Sequence, residues 1–185
     1  MRGIRGTDDI LVDGVPQVAF VGRSNVGKSS LINALTNEKN LVKVGRKPGK
    51  TTEINFFHIN RAFYLVDLPG YGYARIAPKD REKLKKLIIW YLSESGAKPA
   101  LVVLVLDVKA GLTAFDRDMI MILTNEKHPY IIAVNKIDKQ TQREAAQQVS
   151  DIKSISGDAE LFLCSAETRK GVDAILEKIS SVVTS

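Results

Sequence analysis

Residues 22–29, which read GRSNVGKS, have the composition and spacing of a loop that binds phosphate. Two glycines, Gly22 and Gly27, allow a tight turn in which several backbone N–H groups point at one anion. Lys28 would bridge the terminal phosphates of a nucleotide, and the Ser29 hydroxyl would be a ligand of Mg²⁺. We therefore predict a phosphate-binding loop made of Gly22, Arg23, Ser24, Asn25, Val26, Gly27, Lys28, Ser29 and Ser30.

A second motif, Asn135-Lys136-Ile137-Asp138, would choose the base. The Asp138 carboxylate can accept hydrogen bonds from the N1–H and the exocyclic amine of guanine, whereas adenine lacks both donors on that edge. Asn135 would tie the base edge to the phosphate loop, and the stem of Lys136 would cover the ring. A backbone N–H that meets the guanine oxygen would come from the stretch Cys164, Ser165 and Ala166.

Two further stretches have the features of nucleotide switches. In Asp67, Leu68, Pro69 and Gly70, the aspartate would hold a Mg²⁺-bound water and the Gly70 N–H would contact the terminal phosphate. The segment 37–52 has neither helical nor strand periodicity, and its glycines and proline mark a loop. There Thr51 or Thr52 would close over Mg²⁺ with Gly49 and Lys50, and the loop would relax when the phosphate leaves.

Buried strands alternate with amphipathic helices along the chain, and they would position these motifs. Continuous apolar runs predict strands at 17–21, 54–59, 63–66, 101–106, 130–134 and 161–164. Helices are predicted at 78–94, after Thr113, after Thr141 and along the apolar stripe Val172, Ile175, Leu176, Ile179 and Val183. The alternation predicts an α/β fold with a mostly parallel sheet and helices on both faces.

Length and composition favour one globular domain in a reducing compartment. The chain has 185 residues, of which 44% are hydrophobic, and a net charge of +6. Its one cysteine, Cys164, cannot form an internal disulfide, and the first residues lack the apolar stretch of a secretory signal, so we expect a cytoplasmic location. Residues 17–185 would form the domain, and residues 1–16 an extension that is partly flexible.

Together, the stretches VAFVGRSNVGKSSLINAL, PGKTTEINFF, DLPGYGYA and NKID resemble the translation-factor-related GTPases, and most closely the EngB/YihA/YsxC family of bacterial ribosome-biogenesis GTPases. The resemblance implies a three-layer Ras-like sheet of about six strands with the second antiparallel. It also implies GTP, GDP and Mg²⁺ as cofactors, a role in assembly of the large ribosomal subunit, and a link to cell division and septation. Family members usually read P-G-[RK]-T-Q, which gives Thr51 the Mg²⁺ contact and leaves Thr52 where glutamine is usual.

Hydrolysis would depend on Lys28, Thr51, Gly70 and Asn25. Many GTPases place a water-orienting glutamine right after D-x-x-G, but here that residue is Tyr71, so we expect slow intrinsic hydrolysis. In related GTPases an asparagine at the place of Asn25 goes with K⁺-stimulated hydrolysis. The alternative for Asn25 is that it only tolerates the geometry of the turn. The alternative for Tyr71 and Tyr73 is that they only pack the switch against the helix that begins at Pro78.

Basic residues crowd the two regions that should move with nucleotide state. One group comprises Lys39, Lys43, Arg46, Lys47 and Lys50, and the other comprises Lys79, Arg81, Lys83, Lys85 and Lys86. Either group could contact the phosphates of rRNA, or be a solvated face. We expect the large ribosomal subunit as partner, with no DNA partner, no membrane span and a monomeric state; a protein-binding division or signalling switch is the alternative.

The remaining candidates have no assigned role. His58 and His128 lack the neighbours of a catalytic or metal site, so we interpret both as structural. Asp107 ends a predicted strand, where open α/β sheets place functional groups, but the sequence assigns it no specific function.

Overall fold

The computed structural model describes residues 1–43, 53–72 and 77–184. In this part of the chain seven strands form one sheet: β1 (Arg2–Ile4), β2 (Gln17–Gly22), β3 (Ile54–Ile59), β4 (Phe63–Asp67), β5 (Leu101–Asp107), β6 (Tyr130–Asn135) and β7 (Glu160–Leu163). The helices are α1 (Lys28–Thr36), α2 (Pro78–Ser93), α3 (Ala114–Asn125), α4 (Gln142–Ser156) and α5 (Val172–Val183), with short 3₁₀ helices at Asp9–Leu11 and Ile137–Lys139.

The strand order is β1-β3-β4-β2-β5-β6-β7, and one strand, β3, runs antiparallel to both of its neighbours. Parallel pairing joins β4, β2, β5, β6 and β7. The predicted Ras-like α/β fold with one antiparallel strand is therefore confirmed, and the sheet has one strand more than the family resemblance implied.

The additional strand comes from the N-terminal segment, to which the sequence assigned no secondary structure. Ile4 pairs with Ile54 on β3 and is 6% exposed. The Gln17 side-chain amide donates to the carbonyl oxygens of Ile10 and Leu11, at 3.2 and 2.9 Å, and so holds the segment against the start of β2. A three-residue strand is too short to produce a periodic pattern, which is why the sequence did not reveal it.

The sheet is buried on both faces because helices cover each one. Along β2, Ala19 and Val21 belong to the core beneath α2, α3 and α4, whereas Val18 and Phe20 belong to the core beneath α1 and α5. All four side chains are fully buried. This double coverage explains why the strands appear in the sequence as continuous apolar runs instead of alternating ones.

Helix starts agree with the local sequence signals. Thr113 and Thr141 each accept a hydrogen bond from the backbone three residues on, and Asp116 and Glu144 complete the two capping boxes. In α5 the predicted stripe is only partly buried, because Leu176 is 41% exposed. Among the described residues, no helix combines the length and the apolar character that crossing a membrane requires.

Candidate nucleotide-binding site

The predicted motifs, which are distant in sequence, meet at one edge of the sheet. The phosphate loop follows β2, and the last residues of β4, β5 and β6 are Asp67, Asp107 and Asn135. These strands are parallel, and the register places Phe20 opposite Asp67 and Asp107 opposite Asn135. In open α/β sheets, ligands bind outside the carboxyl ends of parallel strands, so this edge is the candidate site.

The phosphate loop turns tightly between β2 and α1. Gly27 has a φ of 91° and Asn25 a φ of 67°, both in the left-handed region. Helix α1 starts directly afterwards at Lys28, so its first N–H groups and the positive end of its dipole face the loop. Asparagine tolerates the left-handed region better than most residues, so the backbone conformation of Asn25 is consistent with the interpretation that this residue only accommodates the turn.

Lys28, the first residue of α1, and Asp67, the last residue of β4, form a buried ion pair. Lys28 is 7% exposed and Asp67 is 2% exposed. The half-buried Ser29 supplies a hydroxyl beside them, and hydroxyl and carboxylate oxygens are the ligands that Mg²⁺ prefers. In the described part of the chain, the buried Ser24 hydroxyl has no hydrogen-bond partner, so a donor is available in the loop. This donor set fits a magnesium–phosphate group.

Residues 44–52, which hold the predicted Gly49, Lys50, Thr51 and Thr52, lie outside the described residues. The Mg²⁺ contact assigned to Thr51 therefore stays a prediction. The other predicted switch, by contrast, is described as far as Gly72: Leu68, Pro69 and Gly70 follow Asp67, and all three are buried.

Asn135 joins the base-side motif to the phosphate loop. Its side-chain amide donates to the Val26 carbonyl oxygen at 3.0 Å, and its Oδ1 accepts from the Ala166 N–H at 3.0 Å. The residue is 1% exposed. A Cβ on Gly27 would lie 2.4 Å from Asn135 Nδ2, so only glycine allows this close approach. The predicted tie between the base edge and the phosphate loop thus corresponds to an observed contact.

Lys136 makes a second connection between the same loops. Its ammonium donates to the Asn25 carbonyl oxygen at 2.5 Å and to Asp107 Oδ2 at 2.7 Å. The Lys136 backbone has a φ of 66°. The side chain therefore crosses from the end of β6 to the phosphate loop, with its aliphatic stem at the wall of the cavity where a base would lie.

Asp138 lies in an environment that favours its ionised form. The Ser165 hydroxyl and then Lys139 hold the pKa of the Asp138 carboxyl below its usual value by hydrogen bonding. Lys139 Nζ lies 3.1 Å from Asp138 and 2.9 Å from Glu167, and the Glu167 and Asp138 carboxylates raise the Lys139 pKa. An ionised carboxylate is the form that accepts two hydrogen bonds from guanine.

A cavity of about 550 Å³ lies between these groups. Gly27, Ser30, Asp138 and Ala166 contribute to its wall, in agreement with the predicted placement. Asp107, which the sequence singled out without a specific role, also lines the cavity, and sequence reasoning missed three further wall residues: Lys109, Lys139 and Glu167. Lys139 and Glu167 directly follow predicted residues, but no spacing rule distinguishes them from ordinary surface charges.

The residues from Cys164 to Ala166 differ in their position relative to the cavity. Ala166 lines the cavity, whereas Cys164 is fully buried with its thiol 3.8 Å from Asn135 Oδ1. Burial raises the pKa of the Cys164 thiol to about 12. Cys164 therefore lies behind Asn135, and Ser165 shapes the loop by accepting a hydrogen bond from the Thr168 N–H at 3.0 Å.

Tyr71, at the position where many GTPases have glutamine, points into the protein and is 2% exposed. Its hydroxyl donates to the buried Asp116 carboxylate, and its ring lies 4.6 Å, edge to face, from Phe115. Its carbonyl oxygen accepts from the Ser24 N–H at 2.7 Å. These contacts join it to α3 and the phosphate loop, and Tyr71 also belongs to the buried core that includes Ile88 and Tyr91 of α2, the helix named in the sequence interpretation. Tyr73 lies outside the described residues.

The basic cluster on α2 is partly neutralised. Lys83 lies 3.4 Å from Asp80, and Lys85 lies 3.4 Å from Glu82. Lys85 also lies over the Phe115 ring at 4.9 Å. In the loop cluster, Lys39 and Lys43 are exposed, whereas Arg46, Lys47 and Lys50 fall outside the described residues.

Both histidines lie away from the candidate site. His58 pairs with Tyr64 near the start of β4, and its ring is 4.8 Å from that of Tyr64. His128 precedes β6, and its Nε2 is 2.6 Å from the Leu92 carbonyl oxygen. Both positions belong to the opposite edge of the sheet. The described residues include no group of three or more His, Cys, Asp or Glu side chains placed to hold a metal ion.

Two family models match the sequence. One, described as "50S ribosome-binding GTPase", matches residues 17–136, and the other, described as "Elongation factor Tu GTP binding domain", matches residues 92–185. The first match contains the phosphate loop and ends within the base-side motif.

Curated relatives are 38–44% identical to this chain over most of its length. The "Probable GTP-binding protein EngB" of Aquifex aeolicus is 38% identical over 164 residues, which are 89% of each chain. The protein of the same name from Pelobacter propionicus is 44% identical over 173 residues, which are 92% of this chain and 86% of the relative.

Solved structures agree with these matches. The crystal structure of a probable GTP-binding protein EngB superposes with a TM-score of 0.78 and 26% identity, over 91% of this chain and 98% of that one. Era in complex with MgGDPNP and nucleotides 1506–1542 of 16S ribosomal RNA has a TM-score of 0.71 and 22% identity, over 91% of this chain and 57% of that one. The likeness to Era extends to the fold alone.

Proposed function

Because this chain belongs to the EngB family of GTP-binding proteins, which are GTPases, we propose that it is a magnesium-dependent GTP switch that binds the maturing large ribosomal subunit and assists its assembly. The main support for nucleotide binding comes from two hydrogen bonds, from the Asn135 amide to the Val26 carbonyl oxygen and from the Lys136 ammonium to the Asn25 carbonyl oxygen. These bonds join the base-side motif and the phosphate loop into one site. We place this activity in the cytoplasm, as the single cysteine predicts.

In this proposal each loop has a separate chemical task. The backbone N–H groups of the phosphate loop and the Lys28 ammonium hold the phosphates, and the ionised Asp138 selects guanine. Ser29, Thr51 and, through water, Asp67 would hold Mg²⁺. When bound, Mg²⁺ would offset the negative charge of the phosphates. Gly70 lies three residues after Asp67, at the start of the switch segment, so a change of phosphate contact at Gly70 would reach that segment.

Base selection is tested by the substitution Asp138→Asn. An asparagine amide can donate to the oxygen that xanthine carries at the place of the guanine amine, so the hydrogen-bonding edge is inverted. We expect the variant to lose affinity for GDP and gain affinity for xanthosine diphosphate, as measured by calorimetry. The exposed Asp158→Asn, which lies in the loop before β7, is the matched control. An unchanged preference in Asp138→Asn would contradict the base assignment.

The hydrolysis proposal starts from the position of Tyr71. Its hydroxyl is engaged with Asp116, so this side chain does not orient water, and another group must stabilise the transition state. Asn25 is an exposed residue of the phosphate loop, and we propose that it helps to bind K⁺ there. The expected result is faster GTP hydrolysis in KCl than in NaCl, with the ribosomal partner present, and loss of this difference in Asn25→Ala. Equal rates in the two salts would contradict the role of the ion.

The ribosomal part of the proposal is supported by the description of the matching family model and by the exposed basic groups near both switches. Cosedimentation with large ribosomal subunits should be stronger with a GTP analogue than with GDP and should weaken steeply with salt. A nucleotide-dependent switch that does not cosediment at any salt concentration would instead favour a division or signalling GTPase with a protein partner.

The contact surface is tested by charge reversal in the loop cluster. We expect Arg46→Glu with Lys47→Glu to weaken subunit binding while nucleotide affinity is retained, because the change is directed at RNA phosphate. The control is the same change of net charge at Lys98 and Lys153, which are exposed near the opposite edge of the sheet. Equal loss in both variants would show that only net charge matters, and unchanged binding would exclude the loop cluster as the contact.

A further inference from the structure

Asp107 makes contacts for which the sequence had no explanation. It is the last residue of β5, and its side chain is 16% exposed. One carboxylate oxygen, Oδ1, accepts from the Lys109 N–H at 2.9 Å, and the other, Oδ2, accepts from the Lys136 ammonium at 2.7 Å. The first bond shapes the turn after β5, and the second reaches into the base-side motif on the neighbouring strand.

The Lys136 ammonium is held from two sides. Asp107 lies on one side, and the Asn25 carbonyl oxygen of the phosphate loop lies on the other at 2.5 Å. Next to it, the Val108 N–H donates to the Asn135 carbonyl oxygen at 3.0 Å. The end of β5 therefore supports both residues of the base-side motif that connect to the phosphate loop.

A lysine side chain needs such support in order to cover a base. Four rotatable bonds separate its backbone from the ammonium, so immobilising this side chain on binding costs conformational entropy. A charge-assisted hydrogen bond that is half shielded from water can hold the ammonium before the ligand arrives. The Lys136 side chain is 34% exposed, so its pairing with Asp107 is less screened than a surface pair.

We propose that Asp107 is a positioning residue for the guanine nucleotide: by holding the Lys136 ammonium against the Asn25 carbonyl oxygen, it keeps the lysine stem across the base and slows nucleotide release. This role rests on the guanine-nucleotide site of the proposed function. Asp107 acts through Lys136 and makes no contact with the base itself.

The test is the rate of release of fluorescently labelled GDP, measured by stopped flow. In Asp107→Asn the amide oxygen can still accept from the Lys109 N–H, while the charge that attracts Lys136 is lost. We expect release to be about tenfold faster, which corresponds to about 1.4 kcal/mol. Glu160→Gln is the matched control, because it removes the ion pair of Glu160 with Lys178 at the start of β7, and we expect no change in release.

A double-mutant cycle separates positioning from a purely structural effect. Lys136→Met keeps an unbranched apolar stem but removes the ammonium, so a second substitution at Asp107 should change GDP release less than twofold in that background. Asp107→Ser, whose hydroxyl can also accept from the Lys109 N–H, should behave like Asp107→Asn, and it replaces that variant if Asp107→Asn fails to fold.

Independent, multiplicative effects of the Asp107 and Lys136 substitutions would overturn the role of Asp107 while leaving the nucleotide site intact. Release of labelled GDP and ADP from the unmodified protein, measured in the same series, checks the site itself. Equal rates for the two nucleotides would overturn the proposed function, and the inference with it.

Discussion

The hydrogen bond between Tyr71 and Asp116 should contribute measurably to stability, and Tyr71→Phe tests this. The substitution removes one hydroxyl and keeps the ring, so the contact with Phe115 remains. Both Tyr71 and Asp116 are 2% exposed, so water cannot replace the lost donor. The hydroxyl donates to a carboxylate, and hydrogen bonds to charged groups contribute about 1.5–3 kcal/mol.

The remaining partners of Asp116 limit the loss. Its Oδ2 still accepts from the Thr113 N–H at 2.7 Å and from the Thr113 hydroxyl at 2.6 Å, so the carboxylate keeps two of three donors. We therefore expect the free energy of unfolding to fall by about 2 kcal/mol and not by the larger cost of an unpaired buried charge. Urea denaturation at neutral pH, followed by circular dichroism, measures it.

Tyr130→Phe is the matched control. The Tyr130 hydroxyl is 3.4 Å from the Thr124 hydroxyl and 3.5 Å from the Ser156 carbonyl oxygen, at the limit of hydrogen bonding. Its removal should cost less than about 0.5 kcal/mol. If Tyr71→Phe is no more destabilising than Tyr130→Phe, the contact between Tyr71 and Asp116 contributes nothing, and the argument that it holds the switch segment against α3 is refuted.

Three further expectations concern stability and reactivity. Gly171→Ala should lower the free energy of unfolding by more than about 2 kcal/mol, because φ is +71° and the new Cβ would lie 2.1 Å from the Leu163 carbonyl oxygen. Gly14→Ala is the control for backbone strain alone, because Gly14 has a φ of +84° and its new Cβ would have nothing within 4 Å. Equal losses of stability in the two variants would contradict the clash with Leu163. Cys164 should react with a thiol reagent only in denaturant, since it is fully buried and its thiol pKa is about 12; rapid labelling of the native protein would contradict this. Burial raises the pKa of Tyr71 well above 10, so the folded protein keeps a proton that the unfolded chain loses, and stability should fall as pH rises above 10. In urea titrations at pH 8 and 11, the free energy of unfolding should fall less between the two pH values in Tyr71→Phe than in the unmodified protein. Equal falls would contradict the raised pKa of Tyr71.

Local patterns were sufficient to predict most of the elements. The predicted strand at 54–59 matches β3 residue for residue, and the helix predicted from Pro78 begins there. Thr113 and Thr141 start their helices as the capping signals indicated. These signals are local, because burial on both faces produces apolar runs and unpaired N–H groups at a helix start require a nearby acceptor.

Tertiary contacts explain where the patterns were insufficient. The short β1 became a strand because Ile54 and its neighbours on β3 offer an unpaired edge, and this partner lies some fifty residues away along the chain. The Tyr71 hydroxyl contacts α3 because Asp116 provides a buried acceptor there, and the sequence did not predict this contact. In neither case does the adjacent sequence contain the information.

The amino-acid sequence alone determined the residue types of the site: glycines for the phosphate loop, a lysine and serine after them, and a carboxylate to pair with guanine. Only the tertiary structure decided how those groups support one another, through Asn135 against Val26 and through Asp107 and Asn25 around the Lys136 ammonium. The physical reason is that a motif specifies which atoms can donate and accept, whereas the register of parallel strands specifies which donors and acceptors come within hydrogen-bonding distance.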